Sequence, residues 1–275
     1  MFTCYLFRMI PVSIVIITKN EAAILGRCLK MANFISNDIV VVDNGSTDGT
    51  TKIAEAFGAR AFQMGWDGYG ANKNKGIALA RYDWVLSIDA DEIADVQLIN
   101  TLHKLPLDNA SVVYDIQFRS YFGDKLIRFG TWGRDHHPRL FNRTKVRWSE
   151  TEVHETLVLP PDARVKKIGG YLHHYSVQNI AECEKKATHY ARLSAIKYAN
   201  AGKKAGFAKL YLSPVFCFLM SYIFRLGFLD GEEGFAIALM LYKNTRLKYQ
   251  YLKLFEGRKY LPSDKPLPKK LAVEY

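Results

Sequence analysis

The sequence predicts an α/β fold: a mostly parallel sheet flanked by helices, with a helical C-terminal extension. Three observations predict it. Continuous β-branched, apolar runs at 12–17, 39–42 and 84–88 read as strands buried on both faces. The segments between them carry apolar residues at helical spacing, the alternation that builds parallel βαβ sheets. From Asn179 onward the pattern is helical.

Pro11 opens the first strand, and Lys19 and Asn20 close it. Asn20 is placed to cap a helix over roughly 21–32, in which Leu25, Cys28, Leu29 and Ala32 share a face. The second strand runs into the loop 43–49, Asp-Asn-Gly-Ser-Thr-Asp-Gly; a helix over about 50–57 and a short strand near 59–64 follow. A glycine-aromatic loop at 65–70 leads to a helix over about 71–81, then to the strand that stops at Asp89. Past about 110 the pattern becomes mixed, with strands at 112–120 and 146–148 and loops rich in Gly, Trp, Arg and His between them. Asn179 is placed to cap a helix carrying Ile180, Cys183, Ala187, Tyr190 and Leu193. The stretch 210–224 is uncharged, contains Pro214 and lies between Lys209 and Arg225. Its 15 residues fall short of the roughly 20 that span a bilayer, so it reads as an interfacial or core helix pair.

Composition narrows the class. With 49% hydrophobic and 24% charged residues the chain can bury a core, which excludes disorder. Cys4, Cys28, Cys183 and Cys217 form no CxxC pair, which excludes a disulfide framework and a zinc site and predicts reduced thiols in a cytosolic compartment. The net charge of +11 favours anionic partners, or serves solubility alone. No nucleic-acid-binding motif accompanies it, so no nucleic-acid partner is expected; the Phe, Tyr, Leu and Lys run near the C-terminus favours a membrane surface. Residues 1–8 read as an extension or arm ahead of Met9, and no small-residue cleavage site marks a signal peptide.

Chemistry concentrates at strand ends, where open α/β sheets bind ligands. Asp89, Ala90, Asp91 and Glu92 follow a buried strand, and two carboxylates at i and i+2 there suit Mg²⁺ or Mn²⁺ with positions left open for phosphate oxygens. Alone, the same residues read equally well as a helix N-cap with an acidic first turn. Asp43 ends the second strand, followed by a glycine-bearing turn that either shapes a ligand pocket or merely supplies turn geometry. Thr18, Asn20 and Glu21 share that edge.

These three blocks, in this order and spacing, resemble the family 2 glycosyltransferases of GT-A fold, strongly over roughly 11–105. The resemblance implies a nucleotide-sugar donor. Thr18 and Asp43 would line the nucleobase pocket with Asn20 and Glu21 beside them, Asp89 would lie near the ribose and diphosphate, and Asp91 would hold the metal. Asn74 matches a recurrent family asparagine; Lys73 either touches the diphosphate or is a solvated helix lysine. Arg139, Leu140 and Phe141 resemble a family Arg-Leu-Phe block. His174 is a candidate third metal ligand, or a hydrogen-bonded structural histidine.

Inverting transfer needs a carboxylate that deprotonates the acceptor hydroxyl. Val153, His154, Glu155 and Leu157 resemble a Val-His-Glu block of the bacterial lipopolysaccharide branch, which makes Glu155 the first candidate, Glu152 the second and Glu150 the third; a strand with an alternating polar face is the alternative. Residues 225–254, with Leu229, Asp230, Gly231 and Gly234 as marker, look like the tail of lipopolysaccharide-core β-1,4-glucosyltransferases. That implies transfer of glucose from UDP-glucose to an inner-core heptose of an anionic glycolipid, by an enzyme peripheral on the cytoplasmic face of the inner membrane. The expected organisation is a catalytic domain over 9–175 (donor half about 11–105, acceptor half about 106–175), a helical region over 176–260 and a basic tail over 261–275. The alternatives are a UDP-sugar transferase for another envelope glycolipid, a sugar nucleotidyltransferase, or a non-catalytic basic adaptor; the residues after the first strand lack the glycine-rich triphosphate loop that a nucleotidyltransferase needs.

Overall fold

A computed structural model of the chain describes residues 9–133, 135–150 and 155–256. Residues 12–89 follow the predicted alternation: β1 (Val12–Thr18), α1 (Ala22–Ala32), β2 (Asp38–Asp43), α2 (Thr50–Ala56), β3 (Arg60–Gln63), α3 (Tyr69–Ala78) and β4 (Trp84–Asp89). Then come β5 (Glu92–Ala94), α4 (Val96–Leu102), β6 (Val112–Phe122), β7 (Lys125–Leu126), β8 (His136–Asn142), β9 (Arg147–Trp148), β10 (Leu157–Val158) and β11 (Arg164–Val177). The C-terminal helices are α5 (Ile180–Asn200), α6 (Ser213–Leu219) and α7 (Gly231–Phe255).

Eight strands run in the order β3-β2-β1-β4-β8-β6-β11-β5, with β7 hydrogen-bonded to β6 as the ninth. The β3-β2-β1-β4 half is parallel. β8 joins it antiparallel to both β4 and β6, so the whole sheet is mixed. Burial of both faces explains the apolar runs: Ile14 and Ile16 of β1 enter the core beneath α1 and α4, while Val15 and Ile17 enter the core on the α3 side. Helix α3 comes unusually close, because a Cβ on Gly76 would stand 2.5 Å from Val15 and 2.9 Å from Val42.

Two local expectations need correction. Asn20 does not cap α1; it adopts a left-handed φ of 55°, and the amides of Glu21, just ahead of α1, and of Ala22, its first residue, donate instead to Thr50 Oγ1 and Asp48 Oδ2 across the loop. The segment between the strands at 112–120 and 146–148, expected as loop, holds strand β8, and His173 and His174 lie on strand β11, which the sequence pattern does not announce. Pro138 obscures β8, yet it sits at a register shift opposite Asp115, where a strand tolerates proline. In β11 a register shift falls at Gly169 and Gly170, and a Cβ on Gly170 (φ +92°) would lie 2.2 Å from the Leu98 amide nitrogen.

Helices α5 and α7 pack through Ala191, Ala195, Tyr251 and Leu252, and Ile237 and Cys183 join them to Phe122 of β6. The Asp-Gly marker at 230–234 has a structural cause. Buried Asp230 accepts from the Arg128 and Phe129 amides at 3.1 and 2.8 Å, and a Cβ on Gly234 would lie 1.9 Å from the Gly227 carbonyl. The stretch 210–224 is helical: α6 flanked by π-turns at Ala208–Leu212 and Met220–Phe224. Among the described residues no single helix is long and apolar enough to cross a membrane. Cys28 and Cys183 are buried thiols, and Cys217 is a half-buried one.

Candidate active site

Register brings the acidic tips together. In the parallel ladders Thr18 pairs with Asp43 on one side of β1, and Ile17 pairs with Asp89 on the other. The ends of β2 and β4 therefore lie two strands apart, about 10 Å, on one sheet edge.

Asp43 is fully buried and organises its own loop, accepting from the Ser46 amide at 3.2 Å, the Ser46 hydroxyl and Thr51 Oγ1 at 3.0 Å. Asn20 ties the β1 and β2 loops together: its Oδ1 accepts from the Thr47 amide at 2.8 Å, and its own amide donates to Ser46 Oγ at 2.8 Å. Half-buried Glu21 follows it. Thr18 is buried beside Asp43 with its hydroxyl unpartnered among the described residues, a donor and acceptor left over for a ligand.

Lys73 is the centre of the site. It is 1% exposed, which rules out the solvated-lysine alternative. Its ammonium lies 3.2 Å from Asp89, 2.9 Å from Glu155 and 4.6 Å from the Trp148 ring centre. Gly70 makes this possible, because a Cβ there would strike the Ser149 carbonyl at 1.9 Å. Asn74 donates to the Trp148 carbonyl at 2.9 Å and accepts from the Trp148 amide at 3.0 Å, so both its polar groups clamp the β9 backbone. Its part is positional.

A second buried cation, Arg139 of β8, stands 2.5 Å from Glu92 and 3.9 Å from Asp89. Burial pushes the Asp89 carboxyl up, but Lys73 and Arg139 outweigh it and hold it below the usual range. Residues 89–92 pass by a turn into β5, and α4 is capped instead by Asp95, whose Oδ1 accepts from the Leu98 amide at 2.7 Å; the N-cap alternative for the Asp-x-Asp is excluded.

Asp91 meets His174, the imidazole Nε2 lying 3.5 Å from its carboxylate. His173 and His174 point to opposite faces of β11: His173 Nδ1 bonds Tyr121 Oη at 2.9 Å, and His174 faces the site. Burial lowers the His174 pKa, yet the charge and hydrogen bond of Asp91, helped by Glu92 and Asp89, push it up to about 9. Among the described residues no three His, Cys, Asp or Glu side chains converge as a metal cage. Asp89 is instead engaged by Lys73 and Arg139, so the three-residue set Asp89, Asp91 and His174 is not assembled. Asp91 and His174 fit an ion that takes its remaining ligands from a diphosphate and water, provided the imidazole gives up its proton.

Glu155 lies just ahead of β10 with a side chain 15% exposed, facing Lys73. Glu150 is exposed, and Glu152 with Val153 and His154 lies outside the described residues.

Sequence reasoning missed several neighbours. Arg139 was visible only as part of a motif, and Glu92 only as the end of an acidic run. Tyr69 and Tyr190 were invisible as a pair: their hydroxyls meet at 3.2 Å and bring α5 beside the site, where burial, Tyr69, Asp89 and Glu155 all push the Tyr190 pKa up. His137, 2.9 Å from Asp135, and His174 both stand edge-on to Phe118, so the two histidine segments converge.

Comparison with known proteins finds relatives over most of the chain. The chain is 30% identical over 244 residues to an uncharacterised glycosyltransferase of Rickettsia prowazekii, covering 83% of this chain and 82% of that one. It is 30% identical over 261 residues to the lipopolysaccharide core biosynthesis glycosyltransferase LpsC of Rhizobium meliloti, covering 87% and 94%. A solved structure of S. aureus TarS 1–349 is similar at a TM-score of 0.43 and 14% identity, over 88% and 90% of the two chains. The family model for glycosyl transferase family 2 matches residues 13–156, just over half the chain, and spans the paired strand ends, Lys73, Arg139 and Glu155. With its GT-A-type sheet, this chain belongs to glycosyltransferase family 2.

Proposed function

We propose that the protein transfers a hexose with inversion, glucose from UDP-glucose, onto an inner-core heptose of lipopolysaccharide at the cytoplasmic face of the inner membrane. The observation that carries the reading is the shared edge of Thr18, Asp43 and Asp89, with two buried cations directly behind Asp89. The acceptor assignment is supported by the likeness to LpsC over nearly its whole length.

The residues divide the work. Thr18 and Asp43 receive the nucleobase, while Asn20 and Glu21 hold the loop around it. Lys73 and Arg139 supply fixed positive charge for the diphosphate, in a buried setting where such charge acts strongly. Asp91 and His174 would hold Mg²⁺ or Mn²⁺, whose chemistry is to neutralise charge on the departing nucleoside diphosphate. Glu155 accepts the acceptor hydroxyl's proton as that oxygen attacks C1 on the face opposite the leaving group. Lys73 orients Glu155 through its 2.9 Å contact.

The test is UDP release from UDP-glucose, UDP-galactose, UDP-N-acetylglucosamine and ADP-sugars, with and without deep-core lipopolysaccharide and with and without EDTA. Acceptor-stimulated, EDTA-sensitive release from UDP-glucose is expected. Release indifferent to the acceptor, or pyrophosphate from UTP and a sugar phosphate, overturns the assignment.

A further inference from the structure

The most unusual surface of the molecule lies away from the sheet edge. Between 207 and 235, eleven large apolar side chains are each 43% exposed or more, among them Phe207 (72%), Leu212 (60%), Phe216 (58%), Phe224 (70%) and Leu229 (55%). A soluble surface rarely gathers so many. Along the helix formed by α6 and its flanking π-turns, exposed positions 207, 211, 212, 215, 216, 223 and 224 recur at helical spacing and form one stripe.

The other face of this segment is committed to the protein. Ser221 is buried and its hydroxyl accepts from the Thr131 amide at 3.2 Å; the Arg225 carbonyl accepts from the Gly130 amide at 2.8 Å. Lys125 bonds the Asp230 carbonyl at 2.7 Å and the Glu233 carboxylate at 2.6 Å. The apolar stripe is thus held rigidly on the loop after β7.

We infer that this hairpin, residues 207–229, enters a single leaflet of an anionic bilayer and holds the enzyme at the membrane by apolar burial. Two features select a lipid surface over other occupants. Residues 201–229 contain Lys203, Lys204, Lys209 and Arg225 and no acidic residue, so cations rim the stripe as a negatively charged headgroup layer requires. The helix 208–224 is about 25 Å long, shorter than the roughly 30 Å hydrocarbon core, and meets the following helical segment at a 70° bend, so it lies in one leaflet and does not cross. The inference deepens the membrane part of the proposed function and does not depend on the donor or acceptor sugar.

The test is flotation of the full chain on vesicles of phosphatidylcholine with and without phosphatidylglycerol, at low and high salt. Wild type should float on both, more strongly on the anionic vesicles, and resist high salt. The combined variant Phe207→Ser, Phe216→Ser, Phe224→Ser should bind at least about 100-fold more weakly, roughly 2.7 kcal/mol, with an unchanged melting temperature and unchanged UDP-glucose affinity. Replacing the four cations by glutamine should cost up to about 10³-fold at low salt, on anionic vesicles only, at roughly 1 kcal/mol per cation. If the triple variant fails to fold, Phe224→Ser should weaken binding and Phe224→Leu restore it. Three results overturn the inference: a folded triple variant that floats like wild type, release of wild type by salt alone, or a dimer in solution that the serines disperse without any vesicle binding. Because flotation needs no sugar transfer, loss of activity with intact flotation counts against the glycosyltransfer reading alone.

Discussion

Replacing Lys73 by methionine removes the cation on which the site is built, at nearly constant side-chain shape. At an effective dielectric of about 20, its attractions to Asp89 at 3.2 Å and Glu155 at 2.9 Å are each worth roughly 5 kcal/mol before desolvation. Burying the ammonium takes back several kcal/mol, and removing one partner of such a pair costs about 3–5 kcal/mol net. The loss here should be smaller, about 2–3 kcal/mol, because the Asp89 side chain is 31% exposed and keeps Arg139 at 3.9 Å. For a chain of this size that lowers the melting temperature by roughly 5–10 °C. Turnover should fall further, by about 10²–10³ in kcat/KM, since charge fixed behind a leaving diphosphate acts most strongly in the transition state. Differential scanning fluorimetry and UDP release measure the two effects separately, and Lys73→Arg should recover much of the second. A methionine variant that melts and turns over like wild type would refute the reasoning.

Glu155→Gln should lower kcat by about 10²–10⁴ while leaving UDP-glucose affinity within roughly threefold; isothermal titration beside a kinetic assay separates the two, and an unchanged kcat moves the base elsewhere. Asp91→Ala should abolish transfer and weaken Mn²⁺ binding in the presence of UDP, with the melting temperature preserved, and full activity would sink the metal assignment. Asp38 tests the scaffold far from the chemistry. Burial raises its pKa, but the Ser13 hydroxyl at 2.5 Å, the Arg81 amide at 2.8 Å and Arg60 at 2.6 Å outweigh it and hold the carboxyl below its usual value. A depressed folded pKa gives stability that is present above the unfolded value, near 4, and is lost as pH falls through the folded one. Asp38→Asn should therefore cost about 1–3 kcal/mol at neutral pH, with the gap to wild type closing below about pH 4 in urea melts; a gap independent of pH would count against it.

The legible half of the fold is the half buried on both faces. A strand such as β1, with Ile14 and Ile16 in one core and Val15 and Ile17 in the other, has to be written as an unbroken apolar run, and no helix or loop needs one. The part of the sheet after about residue 110 is written differently. β8 and β11 carry half-buried, charged and histidine residues on the site face, and each is interrupted at a register shift, by Pro138 in one and by Gly169 and Gly170 in the other. Those features made β8 and β11 useful to the site and unreadable as strands.

The same division runs through the site residues. A carboxylate at a strand terminus announces itself, because the strand fixes where it must be: the pairing of Thr18 with Asp43 and of Ile17 with Asp89 follows from register once the strands are placed. A lysine on a helix carries no such signal. Lys73 is buried only because Gly70 and Gly76 let α3 approach the Ser149 carbonyl and the side chains of Val15 and Val42, and those approaches join positions distant in sequence. Asn74 and Asn20 show the converse. Both sit where a polar side chain reads as a ligand contact or a cap, and both instead bond backbone groups of a neighbouring segment, Trp148 for one and Thr47 for the other. The glycines of α3 therefore say more about where the buried cation lies than the lysine does: at Gly70 and Gly76 the helix comes close enough to the Ser149 carbonyl and to Val15 and Val42 to hold Lys73 against the sheet edge and away from water.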